Sequence, residues 1–138
     1  MIKRYGKVNI VTGLWVMAFF MIYGFLLIYL RDFAPGKEQW IAGYANGAHF
    51  ESRLAHVHGN LFSLLNILFG LVLLNLKIPA GFAKWASWLA LGGLLMPLGI
   101  LSEVYLGLAP VLVIVGGISV FAATVVLAIG VGKTEEVA

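Results

Sequence analysis

The chain has 138 residues, enough for one small domain, and 62% of them are hydrophobic while 11% are charged. A soluble domain averages about 25% charged residues, so the composition lies outside the soluble range, and the net charge of +3 comes from basic residues beside apolar runs rather than from a nucleic-acid-binding patch. The absence of cysteine excludes disulfides, thiolate-held iron–sulfur clusters and covalent c-type haem.

Four apolar runs follow one another, at about residues 8–30, 54–76, 82–104 and 109–131. Each has the length of roughly 20 residues needed to cross the hydrocarbon core. Backbone groups in lipid must satisfy one another, so each run is predicted to be helical. Residues 1–138 thus form a single all-α domain, a four-helix transmembrane bundle in contact with the lipid bilayer. Lys3, Arg4 and Lys7 before the first run resemble a signal n-region, but the run is longer than an h-region of about 7–15 residues and is read as a retained helix.

The connection from Arg31 to Arg53 carries Trp40, Tyr44, His49 and Phe50, aromatics suited to the membrane interface, and is either a short interfacial helix or a surface loop. The other two connections, Lys77–Gly81 and Tyr105–Leu108, are short enough to make their neighbours antiparallel. Basic residues number six on the side of the termini (Lys3, Arg4, Lys7, Lys77, Lys84, Lys133) and three on the other (Arg31, Lys37, Arg53). That bias places both termini in the cytoplasm, in the inner membrane of a bacterium. The third run contains Pro97, which frees the carbonyl of Gly93 and predicts a kink. Gly92-Gly93 and Gly116-Gly117 let helices approach closely, within the bundle or between copies in a homo-oligomer.

Polar side chains at membrane depth mark candidate sites. The second run opens with Arg53, His56, His58 and Asn60, with Asn66 deeper, and the third ends with Ser102, Glu103 and Tyr105 at the same side. Arg53, His56, Asn60 and Ser63 recur at helical spacing and form one stripe. His58 lies about 200° round the helix from His56, so the two cannot share one metal from one helix. A histidine here ligates haem or metal, relays protons, or bonds across helices. Haem suits the set better than zinc, since it needs one or two axial histidines and an apolar slot, for which Gly59, Phe62, Leu65 and Phe69 are candidates. Glu103 either stays solvated at the interface, pairs with Arg53, or transfers protons; Tyr105 is either an interfacial anchor or a donor into the site.

Ala55-His56, Asn66, Tyr105 and the stretch Phe82-Ala83-Lys84 with Trp88, on four helices, together resemble the styrene oxide isomerase family across most of the chain. That resemblance implies a trimer binding haem b at subunit interfaces through a histidine of the second helix, here His56 or His58. It implies that ferric haem acts as a Lewis acid on a small apolar epoxide, with Asn66 and Tyr105 as substrate contacts. The longer histidine-to-asparagine spacing, the second histidine and Glu103 depart from the family's pattern. Arg53-Leu54-Ala55-His56 also resembles the low-spin haem-ligand helix of haem–copper oxidase and nitric oxide reductase catalytic subunits, a resemblance that favours His56 over His58 as the ligand. Two other classes stay open: a membrane haem protein for redox or gas sensing without isomerase activity, and a haem-free accessory or scaffold subunit.

Overall fold

A computed structural model describes residues 2–134. Among them are six helices: α1 (Ile2–Asp32), α2 (Lys37–Ala42), α3 (Gly47–Asn75), α4 (Ala80–Gly93), α5 (Leu95–Leu106) and α6 (Val111–Gly132). α4 and α5 are two halves of one span, so four segments of 30, 29, 27 and 22 residues are long and apolar enough to cross a bilayer. Their outward faces are apolar, with Trp15, Phe25 and Phe121 at least 70% exposed. In water such a surface would drive aggregation; in lipid it is the matching solvent. The chain is a membrane-spanning four-helix bundle.

The third span breaks where its proline predicts. Pro97 has no N–H for the Gly93 carbonyl, and the chain tightens there, with the Leu94 N–H bonding the Leu91 carbonyl at 3.1 Å. At the far end Gly107 adopts φ 64°. Its N–H bonds the Glu103 carbonyl, closing α5 with an αL cap, and the Leu108 N–H bonds the carbonyl of Ser102.

The second span differs from its expected start. α3 begins at Gly47, well before Leu54, because His49, Glu51, Ser52 and Arg53 are polar but none breaks a helix. Apolar length reports membrane depth, whereas the helix continues about two turns beyond it. The Arg31–Arg53 connection therefore shrinks to Phe33–Asn46, and its interfacial helix is α2.

Close packing is set by small residues. α1 lies along α3, with Gly6 against Gly70 and Gly13 against the Ser63 carbonyl. α6 packs on both halves of the third span: Gly93 meets Val120, Gly116 meets the Met96 backbone and Gly130 meets Phe82. Gly92, Gly93 and Gly116 are thus spent inside the chain and supply no reason for a second copy. Two apolar clusters result, one around Phe69, Leu73, Ile78 and Leu127, the other around Phe20, Tyr23, Ala55 and Ile100.

This packing brings the beginning of α1, the end of α3, the beginning of α4 and the end of α6 to one end, the basic end. Arg31, α2, the start of α3 and the end of α5 occupy the other, the histidine end.

Candidate ligand-binding site

At the histidine end a pocket of about 410 Å³ opens between α1 and α3. Its apolar wall includes Met21, Phe25 and Ile28, and its polar groups are Arg31, Tyr44, His49, Arg53 and His56. Of the residues expected from sequence, only Arg53 and His56 line it. Arg53 stacks its guanidinium 3.7 Å from the Tyr44 ring centre and donates to the Tyr44 carbonyl at 3.2 Å. Arg31 is forked onto the exposed carboxylate of Asp32 at 2.7 and 2.8 Å, the only ion pair among the described residues. Arg53 therefore does not pair with Glu103, which lies half-buried on α5.

The three histidines are held in three ways. His56 packs its ring nitrogen against α1 at Gly24. A methyl group on Gly24 would lie 2.6 Å from Nε2 and 3.3 Å from both flanking ring carbons. Nε2 of His56 therefore lies close against α1, while the ring also borders the pocket. His58 stands on another face. Its Nδ1 is 2.9 Å from the Leu54 carbonyl and its ring meets the edge of Phe62. A carbonyl only accepts, so Nδ1 carries the proton and Nε2 keeps a bare lone pair with no partner among the described residues. His49 has the same tautomer, with Nδ1–H donating to the Trp40 carbonyl at 2.6 Å. It is 5% exposed, stacked on Trp40 at 4.6 Å and edged by Tyr44. The Trp40 indole N–H beside it is buried and has no partner among the described residues.

The remaining candidates are dispersed. Asn60 donates to the His56 carbonyl of its own helix. Tyr105, on α5, shares a hydrogen bond with Tyr23 of α1 at 3.0 Å, with the Ser52 hydroxyl at 3.5 Å. Asn66 is deeper and belongs to a different assembly. Its amide donates to the Ala90 and Phe62 carbonyls at 2.9 and 3.0 Å, and its oxygen accepts from Asn9 at 2.8 Å. Asn9 also donates to the Ser87 carbonyl and accepts from the Ser87 hydroxyl. At 1% exposure, with both N–H groups used, Asn66 ties α1, α3 and α4 together and has no donor for a substrate.

The slot expected at Gly59, Phe62, Leu65 and Phe69 is filled. Gly59 faces the ring of Phe20, which is fully buried, and Phe62 and Phe69 are core residues. Among the described residues no three His, Cys, Asp or Glu side chains gather as a metal cluster. No protein-family model, curated protein or solved structure matches the chain.

His49, Tyr23 and Asn9 are the residues that sequence reasoning missed. His49 lies four residues before Arg53 and extends the Arg53–His56–Asn60–Ser63 stripe by one turn, a signal visible once α3 is allowed to begin early. Asn9 and Tyr23 stand singly in an apolar run, and no spacing rule pairs them with partners more than fifty residues away.

Proposed function

We propose that the chain is a haem b-binding membrane protein in which His58 supplies the iron ligand, on a face completed by a second copy in a homo-oligomer. The observation carrying this reading is the His58 tautomer. A carbonyl fixes Nδ1–H and orients the ring, leaving Nε2 bare, the arrangement by which proteins prepare an imidazole for a metal. His58 is half-buried, and an unpartnered imidazole at membrane depth is costly, so a second copy is the natural cover. The donor set fits the group: one imidazole, apolar surroundings from Leu54 and Phe62, and no thiolate. The order of preference from sequence reverses, since Nε2 of His56 is packed close against α1 at Gly24 whereas that of His58 has no partner among the described residues.

Bound ferric haem would supply a Lewis acid, which polarises an oxygen lone pair such as that of an epoxide. The chain's part in an isomerisation would be to hold the small apolar substrate and to donate a hydrogen bond from the Tyr105 hydroxyl. Resemblance to the styrene oxide isomerases and the Tyr23–Tyr105 pair support that enzymatic form. A second reading, haem binding for redox or gas sensing, is favoured by Asn66, which has no donor left for substrate.

The test is the absorption spectrum of the protein made with ample haem, followed by His58→Ala, His56→Ala and His49→Ala separately. We expect a Soret band that only His58→Ala abolishes. A wild-type protein without a Soret band sinks the haem reading, and an unchanged band in His58→Ala sinks the ligand assignment. Aldehyde formation from an aryl epoxide by the loaded protein then separates the enzyme from the sensor.

The six-to-three basic bias supports cytoplasmic termini. Reporter fusions at either terminus should be active only as cytoplasmic reporters, and a fusion in the Trp40–Asn46 segment only as a periplasmic one. A periplasmic signal from a terminus would reverse the orientation.

A further inference from the structure

The basic end carries a second cavity, independent of the histidines. It is about 420 Å³, lies between α1 and α4, and is lined by Arg4, Tyr5 and Val8 on one wall and Lys84, Trp88 and Leu91 on the other, with Ser87 as its floor. Both helices start at this end and run inward together, so residue number measures depth on each. On α1 the order is Arg4, then Tyr5, then Val8, spanning about 6 Å at 1.5 Å per residue. On α4 it is Lys84, then Trp88, then Leu91, spanning about 10 Å. Each wall therefore reads cation, aromatic, aliphatic from the surface inward. That is the order of a lipid's own parts: phosphate, glycerol and ester region, acyl chain. The floor is rigid, because Ser87 is bonded to Asn9.

We propose that this groove binds one acidic phospholipid. Arg4 and Lys84, both exposed, would take the phosphate from opposite sides, and Tyr5 and Trp88 would flank the ester region, where amphipathic rings are favoured. Val8 and Leu91 would receive the start of an acyl chain. Charge supports an anion here. The described residues at this end carry Lys3, Arg4, Lys7, Lys77, Lys84 and Lys133 and no carboxylate, while Glu135 and Glu136 lie outside the described residues. The histidine end has Asp32, Glu38, Glu51 and Glu103 against Arg31, Lys37 and Arg53. Basic pockets between membrane helices are an established kind of lipid-headgroup site.

The experiment uses the full chain in bilayer discs of equal phosphatidylglycerol and phosphatidylcholine, with bound lipid counted by native mass spectrometry. At about 1 kcal/mol for each of two cations, we expect a preference of roughly 30-fold for phosphatidylglycerol in the wild-type protein. The Arg4→Gln/Lys84→Gln double variant should lose most of it. Lys7→Gln/Lys77→Gln removes the same charge from the same end outside the groove and should keep it. Equal retention of both lipids by the wild-type protein overturns the site without recourse to any variant. An equal loss in both double variants overturns it in favour of diffuse attraction. Displacement of the lipid by millimolar inorganic phosphate overturns the lipid assignment in favour of a free-anion site.

Discussion

Gly116→Ala is expected to destabilise the bundle by about 1–3 kcal/mol or more, while Gly117→Ala, one residue away, is expected to be neutral or stabilising by up to about 1 kcal/mol. The difference lies in what each new methyl would meet. On Gly116 it would fall on the backbone nitrogen and Cα of Met96, which cannot rotate away as a side chain could. On Gly117 the nearest atom is the flexible Met96 sulfur at 4.0 Å. The first substitution must push α6 from α5, and every contact along that seam loosens with it, including that of Gly99 with Val113. α5 also carries Tyr105, so the Tyr23–Tyr105 hydrogen bond should weaken together with the packing. Unfolding in mixed micelles, followed by helical circular dichroism, measures both variants. Equal stabilities would mean that α5 and α6 do not meet at Gly116.

The same pair of glycines shows what the sequence could convey. Gly116-Gly117 announces close approach, but two consecutive residues on a helix face different ways, and nothing in one sequence says which faces the bundle. The four spans were legible because membrane depth imposes a length and an apolar composition on each. The break at Leu94 was legible because proline removes a specific donor. The start of α3 was not, because helix and hydrocarbon depth end at different residues wherever the excess turns are polar.

The site was legible only as a neighbourhood. Polar residues at the histidine end of α3 stood out against an apolar background, and the Arg53–His56 stripe does face a pocket. Which imidazole can present a nitrogen depends on what the opposite helix offers. Gly24 lies 32 positions from His56, and its missing side chain is what admits the ring against α1. Asn66 was the reverse case. A lone polar residue at depth reads as functional, yet its partners Asn9 and the Ala90 carbonyl come from two other helices and satisfy it completely. Interhelical hydrogen bonding produces the same sequence signature as a site.

That distinction gives Asn66 a decisive test. Asn66→Ala removes the acceptor of Asn9 and the donors to Ala90 and Phe62, and we expect a loss of about 1–3 kcal/mol of stability. The estimate stays modest because hydrogen bonds in membranes average less than their burial suggests; a chain unfolded within lipid also finds partners. Asn9→Ala should cost a similar amount, since it leaves the Asn66 oxygen without a donor and the Ser87 hydroxyl without its acceptor. The two residues touch, so their effects should not add. A double-mutant cycle is expected to give a coupling of about 0.5–2 kcal/mol, whereas Asn66 paired with a distant residue such as Thr134 should give none beyond about 0.5. At a temperature where Asn66→Ala remains folded, haem content should equal that of the wild-type protein, and so should any epoxide turnover the wild-type protein shows. A variant of unchanged stability that loses turnover would return Asn66 to the substrate and remove the three-helix tie from the account of the fold. A variant that loses stability but keeps its ligand would fix the residue as the fastening between α1, α3 and α4, and leave Tyr105 as the substrate contact implied by the family resemblance.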